Sequence, residues 1–152
     1  MIDYLDGSGF LGTHGSVGAD ASLVIMLAAA VLLSVGVVLA KSRRYSAHRW
    51  VQTLAVCVSA APIAIWMIRS LWLYVLPDLP GVLAQRAYLV TSVHAVVGII
   101  GVTIGVFVVV RSTQLEARHE SLARYKNLMR AAYGVYMLGT ALGVWTYVAI
   151  YA

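Results

Sequence analysis

Of the 152 residues, 61% are hydrophobic and 11% charged, and the mean hydropathy is +0.85. A water-soluble domain of this size has no way to cover so much apolar surface, so the chain reads as a membrane protein. The net charge of +5 and the pI near 9.6 do not signal nucleic acid, because nine of the eleven basic residues fall in just two loops between hydrophobic runs.

The chain opens on Met1 to Asp20, acidic and with five glycines, which reads as a loop or short interfacial turn with Phe10 and Leu11 as apolar anchors. No basic n-region or apolar h-region precedes Ala21, so no cleaved signal is expected and the first hydrophobic run should remain as a span. Four spans are expected, at about 19–41, 48–76, 87–111 and 128–151, each close to the roughly 20 apolar residues that cross a bilayer. Lys41, Arg43, Arg44 and Arg49 follow the first, and Arg111, Arg118, Arg124, Lys126 and Arg130 follow the third. By the positive-inside rule those loops are cytoplasmic, with an anionic-lipid contact as a second role, and both termini lie outside.

The second span carries Pro62, where the missing N–H and the ring clash predict a kink, and the single cysteine, Cys57, which reads as a small core residue. One cysteine excludes an internal disulfide and any CxxC motif. Trp66, Trp72 and Tyr74 lie toward the outer end of this span, which Pro77, Pro80 and Gly81 close. The third span carries Gly98, Gly101 and Gly105, the fourth Gly139 and Gly143; each holds a Gly-x-x-x-Gly, a spacing that lets two helices pack closely in lipid. Leu115, His119, Leu122 and Met129 recur at helical spacing, predicting an amphipathic segment over about 112–127. Spans one-two and three-four form two loosely similar hairpins. Nucleophile elbows, phosphate loops and metalloprotease helices are missing from the sequence, so hydrolytic and phosphoryl-transfer chemistry find no support.

Two ionisable groups fall inside the hydrocarbon. At a rise of 1.5 Å per residue, His94 lies on the order of 9 Å below the outer interface and Arg69 on the order of 10 Å, and each costs about 2.5 to 3.5 kcal/mol to insert. Asp20, expected to cap the first helix, is the natural counter-charge for Arg69. Trp145 and Tyr147 reach the same outer third from the fourth helix, offering a stacking ring and a hydroxyl.

His94, Gly98, Gly101 and Gly105 share one stripe of the third helix. An imidazole above a groove without side chains suits a b-type haem, with His14 as the second axial ligand and Arg69 on the propionates. The same residues read equally as a structural Arg69–Asp20 pair with a hydrogen-bonded His94, or as a quinone or copper site of His14, Asp20 and His94. His48 and His119 form a weaker, cytoplasmic alternative for a second haem.

Gly9 to Thr13 (Gly-Phe-Leu-Gly-Thr) before Asp20, Ala47 to Arg49 (Ala-His-Arg) and His94 to Gly98 (His-Ala-Val-Val-Gly) together resemble a family of small four-helix bacterial and archaeal membrane proteins that includes the CtaM-like assembly factors of haem-copper oxidases. The similarity runs from Gly9 to Tyr151, with Asp20, His48 and His94 at the family's polar landmarks. A looser similarity links the chain to transmembrane di-haem b-type cytochromes, although their histidine pairs at matching depth on both sides are not reproduced. The resemblance implies a prokaryotic cytoplasmic membrane and work beside respiratory electron transfer.

The expected architecture is one all-α domain, a four-helix up-down bundle with both termini outside. A bundle this small should pair with itself or with a larger respiratory complex. The expected function is that of a b-type haem carrier moving electrons between quinone and an outer acceptor, an electron-transfer subunit and not a stand-alone enzyme. The alternative is an accessory or assembly factor without a redox centre.

Overall fold

The computed structural model describes residues 5–78, 86–117 and 125–152. Helix α1 runs over Val17–Lys41. Helix α2 begins as Tyr45–Pro62 and continues unbroken through Ile63–Met67, Ile68–Ser70 and Leu71–Val75 to a final tight turn over Leu76–Asp78. Helix α3 spans Arg86–Ala117 and α4 spans Lys126–Tyr151. All four are long and apolar enough to cross a membrane. Among the described residues there is no strand, only an isolated bridge between Ser8 and Ser16.

Two boundaries differ from the sequence reading for physical reasons. Helix α1 starts before Asp20 because Ser16 is its cap, its hydroxyl accepting from the Ala19 N–H at 3.3 Å; this leaves Asp20 inside the first turn. Residues 112–117 continue α3, and Lys126 already opens α4. Residues 118–124, with His119, lie outside the described residues, as do Pro80 and Gly81.

Helix α2 absorbs its proline by widening. Pro62 has no N–H to give and its ring crowds the turn before it, and the chain responds with π turns over Ile63–Met67 and Leu71–Val75. In them the Ile68 N–H reaches back to Ile63 O and the Leu76 N–H to Leu71 O. Each such turn spends an extra residue, so the outer half of α2 is rotated away from the face that a 3.6 period assigns.

The helices pack as two hairpins, α1 on α2 and α3 on α4, joined mainly through α1 and α4. His48 and Gln52 of α2 close the first hairpin: His48 Nδ1 donates to Gly36 O at 2.7 Å and Gln52 Nε2 to Leu33 O at 3.1 Å. A side chain at Gly36 would collide with Gln52. The Gly-x-x-x-Gly stripes do serve packing: Gly101 faces Val135 and Gly139 faces Val97 across α3 and α4, while Gly105 faces Val56 of α2. Between α1 and α4, the Ser34 and Tyr133 hydroxyls meet at 3.1 Å. Outward surfaces carry large apolar side chains, Val31, Leu54, Ile99 and Leu138 among them, as a bilayer-facing bundle requires. Cys57 is on this exposed surface and is not a core residue.

Candidate functional site

The end of the bundle that carries both termini is closed by the segment before α1. Its backbone folds back on itself, Gly9 N–H to Gly15 O at 2.9 Å and Val17 N–H to Gly7 O at 2.9 Å. The fold-back aims consecutive N–H groups at a single acceptor. Asp20 Oδ2 accepts from Phe10 N at 2.6 Å and Leu11 N at 2.7 Å, and Oδ1 accepts from the Tyr147 hydroxyl. The carboxylate is fully buried, so these donors, together with the start of the α1 dipole, replace its water.

Gly9 and Gly15 make the approach possible, since a Cβ at either would run into the Asp20 carboxylate. Thr13 Oγ1 meets the Tyr147 hydroxyl at 2.6 Å, and the His14 N–H reaches Tyr151 O at 3.1 Å. The cap is thereby tied to the last turn of α4.

Arg69 joins the same cap, and its partner is not Asp20. Its guanidinium forms a two-pronged pair with Asp6, at 3.0 and 2.8 Å, and its Cζ lies 5.6 Å from the Trp66 ring centre. Both charged side chains are partly exposed. Arg69 follows the first π turn, whose extra residue offsets it from the face that a 3.6 period assigns, and it pairs with Asp6, so sharing a level with His94 does not bring the two together.

Below the cap the hairpins part. A cleft of about 180 Å³ lies between them, lined by all four helices and almost wholly apolar. Met67 and Leu71 form its α2 wall, Gly98 and Val102 its α3 wall, and Ala19, Met26, Gly143 and Tyr147 close the back. Ile68 and Ile99 stand at its rim and are themselves exposed, so the cleft opens sideways between α2 and α3 toward the acyl chains. Gly98 keeps part of it open: a Cβ there meets nothing within 4 Å.

His94 is the imidazole of this cleft. Its Nδ1 pairs with Gly139 O at 2.9 Å; a carbonyl only accepts, so Nδ1 carries the hydrogen and the neutral ring's lone pair is at Nε2. Among the described residues no hydrogen bond reaches Nε2. Gly143 allows the ring to lie against α4, since a Cβ there would come within 2.7 Å of Met26 and 2.8 Å of His94 Cε1. Thr146, one turn further along α4, also lines the cleft, and its buried Oγ1 has no hydrogen-bond partner among the described residues.

Of the residues singled out from the sequence, His94, Gly98, Gly101 and Tyr147 line the cleft. Asp20 and Arg69 belong to the cap above it. Trp145 points outward, 65% exposed, and stacks on nothing in the site. His14 is exposed in the cap and lines no part of the cleft, and His48 is spent on Gly36.

The arrangement therefore fits a bis-histidine haem poorly, with one imidazole in the cleft and the arginine engaged elsewhere. The cleft is comparable to an apolar cavity of about 150 Å³ that holds a benzene ring, so it has room for a single substituted six-membered ring. A copper site of His14, Asp20 and His94 is not assembled either. The Asp20 oxygens are already occupied, and no cluster of three metal-ligating side chains occurs among the described residues.

Sequence reasoning missed Thr146, Met26 and the cap role of Thr13. Thr146 carried a weak signal, a hydroxyl three residues past a helix glycine. Comparisons with family models, with curated proteins and with solved structures find no match to this chain.

Proposed function

We propose that this protein holds a lipid-borne ring of the quinone class in the plane of the membrane and presents it to a larger respiratory complex. The observation that carries this is the sideways-opening, mainly apolar cleft with a single imidazole at its wall, its acceptor nitrogen unbonded among the described residues. A ligand that lives in the bilayer enters such a cleft without crossing water, its tail remaining among the acyl chains past Ile68 and Ile99. The polar head supplies what His94 lacks. The resemblance to proteins that serve haem-copper oxidases supports the respiratory setting, and the small size of the bundle supports an accessory role beside a larger assembly.

Trp66 lines the cleft, whereas Trp50, Trp72 and Trp145 are exposed, so a protein with those three changed to phenylalanine reports the cleft alone. In lipid nanodiscs, a brominated alkylbenzene is expected to quench Trp66 saturably, and an unbrominated alkylphenol, which does not quench, to reverse the quenching. Gly98→Leu, which fills the open side, should abolish both effects. Quenching that rises linearly with probe and shows no competition contradicts the reading.

A second reading, a haem held by His94 as sole axial ligand, draws on the Nδ1–H to carbonyl bond that orients the imidazole. The visible spectrum of purified protein separates the two. A Soret band lost in His94→Ala favours haem, and a colourless folded protein favours the ring-binding cleft.

A further inference from the structure

Resting on that reading of the cleft, we infer that the site selects a ring that donates a hydroxyl, a quinol or phenol, over the corresponding carbonyl or ether. The tautomer decides this. Because Nδ1–H is committed to Gly139 O at 2.9 Å, the neutral His94 offers only a lone pair at Nε2, which takes an O–H donor and repels a carbonyl oxygen. A head group that merely accepts is left opposite another acceptor in a nearly dry cleft, where an unmatched polar atom is costly.

Thr146 provides an independent pointer to the ligand. A helical threonine ordinarily turns its hydroxyl onto the carbonyl a turn earlier, as Thr140 does onto Tyr136 O at 3.0 Å and Thr103 onto Ile99 O at 2.7 Å. Thr146 does not; its buried Oγ1 is left without a partner in the wall that also holds His94. It sits three residues beyond Gly143, about 4.5 Å along the axis, and Gly143 is the residue against which His94 rests. The cleft thus offers two polar points, one a pure acceptor and one a hydroxyl of either sense, which a ring carrying two oxygens can address. The first oxygen must be a hydroxyl; the second is free to be either form.

The test uses ligands that undergo no redox change. Isothermal titration calorimetry of the unmodified protein in nanodiscs, against protein-free nanodiscs, compares 4-hexylphenol with 4-hexylanisole, which has the same shape without the donor. The phenol is expected to bind about tenfold more tightly, the worth of one hydrogen bond, and His94→Leu should bring the two together. An alkyl hydroquinone kept reduced should gain a further factor of about three to ten over the phenol, a gain lost in Thr146→Val. Equal, saturable binding of phenol and anisole overturns the selectivity and leaves the cleft reading standing. A preference that survives His94→Leu overturns the assignment to His94. Absence of saturable binding by either ligand overturns the cleft reading itself.

Discussion

The cap and the cleft lie next to each other and treat their polar groups in opposite ways. In the cap every oxygen of the buried Asp20 is matched by a donor, and Thr13, Tyr147 and the Gly9–Gly15 turn exist to deliver those donors. In the cleft His94 keeps an unbonded lone pair and Thr146 an unbonded hydroxyl. Burial alone therefore does not mark a binding site in this protein. Among the described residues the fully buried carboxylate of Asp20 has all its donors within the cap, whereas the imidazole of His94 keeps a lone pair to spare.

Substitutions that remove polar groups should act with opposite sign in the two regions. The largest effect is expected from Asp20→Ala, which strands two backbone N–H groups and the Tyr147 hydroxyl; it should cost about 3 kcal/mol or more, read as a large fall in the thermal midpoint in detergent and as protease cleavage within residues 5–16. Gly143→Ala comes next, because the new methyl meets both Met26 and His94; overpacking of about 1 to 3 kcal/mol is expected, with ring binding weakened as His94 is pushed from α4. Thr146→Val should instead leave stability unchanged or raise it by about 1 kcal/mol, since it deletes an unsatisfied buried hydroxyl. A marked loss of stability in that variant would erase the distinction between the regions.

Smallest is Arg69→Met. Its pair with Asp6 is partly exposed, and such pairs contribute less than about 1 kcal/mol, so the melting point should barely move and ring binding should persist. A drop comparable to that of Asp20→Ala would show that the cap depends on the ion pair and not on the carboxylate beneath it.

Much of this was legible in the residues. Runs of apolar side chains, two basic loops and the Gly-x-x-x-Gly stripes define four spans and the α3–α4 contact, and counting residues from Tyr88 singles out His94 as a group within the membrane. What depth cannot supply is rotation. Asp20 and Arg69 are at compatible heights, yet Arg69 follows the π turn over Ile63–Met67 and pairs with Asp6, and a period of 3.6 carries no trace of that turn. Asp20 also found partners that leave no side-chain signature, the N–H groups of Phe10 and Leu11. The cleft depends on what α2 fails to touch, and a missing contact leaves no pattern in a sequence. His14 looked available because a glycine-rich segment can fold inward; it does fold, but it is the His14 backbone, bonded to Tyr151 O, that is used.

The central claim is that the gap between α2 and α3 beside His94 is where a lipid-borne ring resides. A photoreactive alkylphenol, activated in nanodiscs and mapped by mass spectrometry, measures this directly. Labels concentrated on cleft residues such as Met67, Leu71, Val102 and Thr146, and reduced by excess unmodified phenol, are the predicted result. Labels spread evenly over outward residues such as Val31, Phe107 and Leu138, with no protection by competitor, would contradict it.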